Sequence, residues 1–291
     1  MPLLGFAGVE LKLSGFDFVV VRGAAKEPGY LWIRDGIIEF VVAPEMKSLD
    51  SWARTDRIRA DQGDTKIQVL SVGSAGDAGV DWAQLVTNYW GGEDKAGVGC
   101  EFGRKGLLAI AFRGMGELEV SGPAGHFEHA IGIRTEQLAR LGSNNGLASY
   151  SEEAAREDFQ KLVHRHVACF GCPFPCRSFL KVHEDPEEMR LMGKEPGYLV
   201  YDIPALEKAF ELGLNAKDTV LALIKCARAG VEPFFAMWHL ERAGTEVSLR
   251  AIESLLSAQS DSVPPVELEA SRNFELSFDS LEKYEKCLGL G

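Results

Sequence analysis

The sequence predicts an α+β fold, a β-rich N-terminal lobe followed by an α-helical lobe. Residues 1–122 read as short β-branched and aromatic runs separated by glycine turns. From Ser121-Gly122-Pro123 onward, apolar residues recur at helical spacing. No internal repeat or low-complexity tract competes with this division into residues 1–122 and 123–291. A chain of 291 residues suffices for one large core or two smaller ones.

The elements follow in order. Residues 16–21, rich in Phe and Val and closed by Gly23, predict a strand. Asp35-Gly36 lies between the apolar runs 30–33 and 37–42, the signal for a tight hairpin, because Asp-Gly tolerates positive φ. Residues 48–61 predict a helix, with Leu49, Trp52 and Ile58 roughly on one face and Gly63 just past its end. Strands are expected at 66–72 and 107–112. The first is followed by Gly73-Ser74-Ala75-Gly76 and the second is preceded by the glycine-rich stretch 91–103. Helices are expected at 127–141, 152–167, 204–214, 218–229, 234–242 and 249–258, with Gly213, Gly230 and Gly244 as C-cap candidates. Residues 183–197, charged and holding two prolines, predict a loop; 259–273 reads as a linker and 278–288 as a last short helix.

Composition narrows the partners. The chain is 46% hydrophobic and carries a net charge of −12. That charge argues against nucleic acid, whose binders gather Lys and Arg to release counterions, and against an anionic membrane surface. No apolar run is long enough to span a bilayer, and Met1-Pro2-Leu3-Leu4 has no basic segment of a secretory signal. Small molecules and other proteins are the expected partners.

Cysteine placement is the most informative signal. Of Cys100, Cys169, Cys172, Cys176, Cys226 and Cys287, three fall within one short segment, unlike the spread pairs of a disulfide framework. A reducing, cytoplasmic compartment is expected. In Cys169-Phe170-Gly171-Cys172-Pro173-Phe174-Pro175-Cys176, Gly171 permits a sharp turn and the prolines stiffen the loop. Three thiolates so close select a soft metal, iron–sulfur or zinc. Phe170, Phe174 and Phe179 are expected to wall the site. Three readings stand side by side: a [4Fe-4S] cluster, a zinc site using His164 or His166, and metal-free thiols. A complete four-cysteine zinc or ferredoxin pattern is absent, so a fourth cluster ligand must come from elsewhere, Cys287 first and Cys226 second. Cys226, beside Leu223 and Ile224, also reads as a small core residue, and Cys100 as unligated. The run 234–238 reads as core packing. No internal general acid or base stands out, so the catalytic residues stay unassigned.

Five glycine-bearing stretches precede the cysteine loop: Gly5-Phe6-Ala7-Gly8-Val9-Glu10-Leu11-Lys12, Pro28-Gly29-Tyr30-Leu31-Trp32-Ile33, Val72-Gly73-Ser74-Ala75-Gly76, Ala96-Gly97-Val98-Gly99 and Gly103-Arg104-Lys105-Gly106-Leu107-Leu108. In these stretches and the cysteine loop the chain resembles the aldehyde:ferredoxin oxidoreductase family of tungsten or molybdenum pterin enzymes. The resemblance implies that the first lobe is half of a pterin-binding domain and that Cys169, Cys172 and Cys176 hold the cluster. It also implies that Lys95, Gly97, Gly99, Gly213 and Leu214 face the cofactor. Aldehyde or oxo-group oxidation would send electrons through the cluster to ferredoxin or another redox subunit, in a homo- or hetero-oligomer. The chain departs from the pattern as a shorter, partly degenerate member. Gly91-Gly92-Glu93-Asp94-Lys95-Ala96-Gly97 stands where the family carries an Arg-rich stretch, and its carboxylates would repel a pterin phosphate. Phe210 and Asn215 replace acidic or cysteine positions beside Gly213-Leu214. These departures leave two alternatives: an electron-transfer or scaffolding paralogue without pterin, or one half of a split enzyme. Half a β-domain would expose an apolar face and an unpaired sheet edge that need cover. The glycines at 73, 76, 97, 99 and 103 admit two explanations, ligand approach or strand ends and turns.

Overall fold

The computed structural model describes residues 5–91, 97–141, 153–182, 197–200 and 203–257. Its first sheet grows from the Asp-Gly turn. Asp35 and Gly36 take φ of 40° and 81° and join β1 (Gly29–Arg34) to β2 (Ile37–Val42) as an antiparallel pair. Further strands are β3 (Gln68–Ser71), β4 (Val86–Thr87), β5 (Trp90–Gly91) and β6 (Leu107–Arg113). The sheet order is β2-β1-β6-β3-β4-β5, with β6 parallel to β1 and antiparallel to β3. β6 is buried along nearly its whole length, as a central strand should be.

Alternation divides the sheet's side chains between two faces. Tyr30, Trp32, Val69, Ala109 and Ala111 pack with Met46 and Ile58, the latter on α2 (Ser51–Gln62). α2 begins where the Asp50 carboxylate accepts the Ala53 N–H at 2.8 Å, and it ends at Gly63, left-handed with φ 70°. Ile33, Leu70, Ile110 and Phe112 point to the opposite face, together with Ala7 of α1 (Ala7–Leu13). The expected strand at 16–21 does not form. Phe16 and Val19 pack on that second face, while Phe18 and Val20 stand 59% and 75% exposed. β propensity is realised only where a strand edge offers a ladder, and this segment crosses a face instead.

α3 (Ser74–Asp77) and α4 (Val98–Arg104) meet where Gly76 and Gly103 leave no room for a side chain. Beneath them Arg54 is fully buried. Its guanidinium donates to the carbonyls of Met46 (3.0 Å), Val72 (2.5 Å) and Lys47 (2.9 Å) and to the Asp77 carboxylate. Every arm of the fork is used, which is what makes a buried cation tolerable.

The second lobe contains α5 (Pro123–Leu141), α6 (Glu153–Leu162), α7 (Ile203–Glu211), α8 (Ala216–Ala229), α9 (Pro233–Arg242) and α10 (Leu249–Ser257). It also holds an antiparallel sheet, β7 (Val163–Val167), β8 (Arg177–Lys181) and β9 (Gly197–Val200), in that order. The helix expected over 152–167 therefore stops at Leu162, because the β-branched and alternating Val163-His164-Arg165-His166-Val167 pairs with β8. α8 is the centre of this lobe, capped by the Asn215 side chain and by left-handed Gly230, and its Val220, Leu223 and Cys226 are buried. The expected loop at 183–197 lies largely outside the described residues, and the linker and last helix expected beyond 258 lie wholly outside them.

The lobes join backbone to backbone. A methyl group on Gly73 would overlap the Ala229 carbonyl and the Gly230 nitrogen. Around that contact the Ser51 hydroxyl donates to Ala227 O at 2.8 Å, and Gln84 donates its backbone N–H to Gly230 O at 2.8 Å. One apolar cluster crosses the junction, from Ala75, Trp82 and Ala83 to Leu223, Val231 and Met237. Among the described residues no helix is long and apolar enough to cross a membrane.

Two outcomes follow. Gly73→Ala should lower stability by about 1–3 kcal/mol through overpacking, whereas Gly122→Ala, with open space around its α-carbon, should stay within about 0.5 kcal/mol of wild type in urea unfolding. Burial raises the Asp77 carboxyl from 3.8 to about 6 against the pull of Arg54. The folded chain then holds this proton more tightly than the unfolded one. The contribution of Asp77 to stability is full below pH 3.8 and is lost as pH rises towards 6. Asp77→Asn should flatten the stability–pH slope across that window, and an unchanged slope would count against the assignment.

Candidate metal centre

The cysteine run is the connection of a β-hairpin. Val167 pairs with Arg177, His166 with Ser178 and Arg165 with Phe179, so residues 168–176 span the end of a two-strand ladder. The chain first turns at Cys169-Phe170-Gly171-Cys172, where the Cys172 N–H donates to Cys169 O at 3.1 Å and Gly171 takes φ 67°. A second reversal follows, with the Cys176 N–H donating to Phe174 O at 2.9 Å. The Cys172 thiol approaches that same carbonyl at 3.5 Å. The two turns fold the loop back on itself with all three thiols on it. Cys169 is half-buried, Cys172 and Cys176 are exposed, and none is in a disulfide.

The thiols sense one another. Partial burial pushes the Cys176 thiol up, the neighbouring Cys169 and Cys172 push it further, and Arg177 opposes them. Such mutual repulsion is what a bound cation relieves. Among the described residues, no group of three or more His, Cys, Asp or Glu side chains is gathered in metal-holding geometry. The donor chemistry itself suits a soft metal group, iron–sulfur or zinc: three free thiols on one loop that also holds buried Phe174.

The three phenylalanines expected to wall the loop differ in burial. Phe174 and Phe179 are buried, with Arg165 over the Phe179 ring at 4.3 Å, but Phe170 is 52% exposed and meets the Phe6 ring edge-on at 6.4 Å. His164 lies edge-on to Phe179 at 6.4 Å, and His166 Nδ1 sits 3.2 Å from the Ser178 hydroxyl, so both imidazoles are engaged within the hairpin. Cys226 is buried within α8 and burial drives its thiol up, which matches the core reading. Cys100 is likewise buried, its thiol 3.4 Å from Gly79 O. Cys287 lies outside the described residues. Arg177 adjoins the loop without belonging to any sequence motif. It is only 3% exposed, and its Nη2 donates to Ala168 O at 2.7 Å across the mouth of the loop. Arginine is by default a surface residue, so nothing in the sequence marks this one as buried.

The residues expected to face a pterin fall in both lobes. Lys95 lies outside the described residues. Gly97, with φ 72°, opens α4, and a methyl there would overlap Asp81 O. A methyl on Gly99 would come within 2.6 Å of Gln84 O. Their bare α-carbons face the chain's own 81–84 backbone, not open space. Gly213, with φ 86°, ends the turn after α7 and has open space around it, while Leu214 is buried in the second-lobe core. Asn215 spends its side chain capping α8, accepting from Asp218 N at 2.9 Å. Gly97, Gly99 and Leu214 thus take packing positions within the chain's own fold.

A mixed six-stranded sheet is followed by a helical lobe that carries a cysteine hairpin, and comparison with known proteins specifies the family. Residues 3–114 match the family model for the aldehyde ferredoxin oxidoreductase N-terminal domain. The tungsten-containing aldehyde ferredoxin oxidoreductase of Pyrococcus furiosus is 34% identical over 248 residues, covering 76% of this chain and 39% of that protein. A WOR-like subunit of an aliphatic sulfonate oxidoreductase from the same organism is 27% identical over 123 residues, covering 38% of this chain and 20% of that one. In fold, the chain is similar to the active site complex BamBC of benzoyl coenzyme A reductase, with a TM-score of 0.67 at 17% identity, over 88% of this chain and 46% of the other. The chain belongs to the aldehyde ferredoxin oxidoreductase family and spans about two fifths of the length of its Pyrococcus furiosus relative.

Exposure sets the order of thiol chemistry in the metal-free protein. With iodoacetamide and mass spectrometry, exposed Cys172 should be modified first, Cys176 more slowly because its thiol is pushed up, and Cys100 and Cys226 only on unfolding. Early labelling of Cys226 would contradict its place in the core.

Proposed function

We propose that this chain is an iron–sulfur member, or subunit, of an aldehyde ferredoxin oxidoreductase-type enzyme. Cys169, Cys172 and Cys176 supply three ligands of a [4Fe-4S] cluster, and Cys287 is the proposed fourth. The observation that supports the reading is that Cys169, Cys172 and Cys176, none in a disulfide, all lie on one short hairpin loop together with buried Phe174. Family membership supplies the redox context. Such a cluster, when bound, takes up and passes on single electrons. The protein's own part is to hold the sulfurs, keep water from their inner side and set the charge around them. The electrons come from oxidation of an aldehyde or another oxo compound and leave to ferredoxin or a partner redox subunit. The name of the relative that is a subunit supports a multi-subunit setting. Free thiols throughout the described cysteines support a reducing cytoplasm.

A second reading is an electron-transfer or scaffolding paralogue without its own pterin, or one half of a split enzyme. It is favoured by Gly97 and Gly99 packing on residues 81–84 and by Leu214 lying in the core. Under this reading Lys95, Gly97, Gly99, Gly213 and Leu214 are structural positions, and the tungsten- or molybdenum-pterin resides in a partner.

Metal analysis of anaerobically purified protein separates the two. Iron with tungsten or molybdenum supports the first reading, and iron alone supports the second. Replacing Cys169, Cys172 or Cys176 by Ser should each remove most of the iron and the brown colour. Iron retained in all three variants, or zinc in its place, would refute the cluster.

A further inference from the structure

β2 is the outermost strand of the first sheet, and among the described residues no strand pairs with its outer side. At the opposite edge β5 is two residues long, and its Trp90 packs on Phe179 of the second lobe. Natural sheets protect a free edge with lysine, proline, a bulge or an inward charge. The strand Ile37-Ile38-Glu39-Phe40-Val41-Val42 has no lysine or proline, and its ladder to β1 runs without a register shift. Ile37, Ile38, Phe40 and Val42 are each between 41% and 52% exposed.

The donors and acceptors along this edge are defined. Just past the ladder, the Ala43 N–H donates to Pro28 O at 2.9 Å, so the odd-numbered residues turn their backbone groups towards β1. By alternation Ile38, Phe40 and Val42 direct theirs outward. A two-fold axis normal to the sheet keeps each face on its own side, so a second β2 can pair these residues only with each other. With the axis at Phe40, Phe40 meets its own copy and Ile38 meets Val42, and all three exchange N–H and C=O bonds. With the axis at Glu39, two carboxylates would stand opposite each other, which is unfavourable. With the axis at Val41, Ile38 would face Pro44, which has no N–H to give.

Charge permits the same arrangement. The chain carries −12, so copies repel on the whole, but Glu39 is the one charge within 37–42 and lies 3.9 Å from Arg34. The cavity beside Phe40 and Val42 is rimmed by Arg22, Lys26 and Lys105 against Glu27. Antiparallel pairing brings that basic end towards the turn end of the other copy, which carries exposed Asp35.

We propose that β2 is a self-association edge, on which a second copy of this chain pairs antiparallel about a two-fold axis at Phe40. Two six-stranded sheets then become one, and Leu31 and Phe40 of each copy form a single apolar row across the seam. The inference is independent of the cluster reading.

The test measures the mass of the full chain by sedimentation at micromolar concentration, beside F40K and F40E. Wild type should sediment at twice the mass of one chain. Each variant sets like charges against each other across the axis and should weaken association about tenfold or more. Mixed in equal amounts, the two variants set Lys against Glu and should dimerise again, which a register centred on residue 40 alone allows. A wild-type chain that stays monomeric overturns the proposal and leaves the edge to a different partner. A dimer that persists in both variants overturns it too, and a mixture that stays monomeric overturns the register. Should both variants fail to fold, amide exchange in wild type decides. Ile38, Phe40 and Val42 should gain protection as concentration rises, and unchanged exchange there refutes the pairing.

Discussion

The contact between Gly73 and Gly230 sets the position of everything downstream of it. A strand-to-helix turn in the first lobe and the C-terminal cap of α8 in the second approach so closely that neither α-carbon has room for a side chain. Gly230 holds its left-handed φ of 71° there, which ends α8 and turns the chain so that Val231 and Glu232 run beside Trp82 and Gln84. Interiors pack at crystal-like density, so such an approach fixes orientation better than a patch of mobile side chains would. The ion pair between Arg228 and Asp50 at 2.6 Å, with the Arg228 guanidinium over the Trp52 ring at 5.7 Å, reinforces the same seam from outside.

From that seam the thiol hairpin is reached in two steps. α8 packs against β9, and β9 pairs with β8, so the strand carrying Arg177 and Phe179 is registered against a helix docked on the first lobe. Trp90 of β5 meets the Phe179 ring edge-on at 5.7 Å, which gives the hairpin a direct support from the first sheet. Phe6 and Phe170 touch at the outer end of the loop. The thiol loop is thus carried by a strand pair supported from both lobes, with Cys172 and Cys176 at the surface and Cys169 half-buried.

The same economy explains the glycines. Those at 73, 76, 97, 99 and 103 resemble a ligand-binding signature when read along the sequence, yet each faces a neighbouring stretch of the chain's own backbone. Helix α4 can lie on α3 and on the 81–84 loop only because these side chains are missing. Arg54 completes the arrangement by collecting three carbonyls and the Asp77 carboxylate beneath the turn. The first lobe is therefore a closely packed platform for the seam.

What the sequence determined by itself was local. Asp35-Gly36 dictates a hairpin because few other pairs accept positive φ at both positions. Gly63 and Gly230 dictate helix ends for the same reason, and the spacing of Cys169, Cys172 and Cys176 dictates a loop of soft donors. Tertiary structure decided the rest. The Phe and Val run at 16–21 has strand propensity but no free edge beside it, so it crosses a sheet face unpaired. Val163–Val167 leaves the helical pattern because β8 offers it a ladder, and that pairing turns the cysteine run into a hairpin tip. Arg177 became buried through the same pairing. Propensity, turn chemistry and donor spacing act over a few residues and can be read in order; the availability of an edge, a face or a counter-charge depends on residues far apart in the chain.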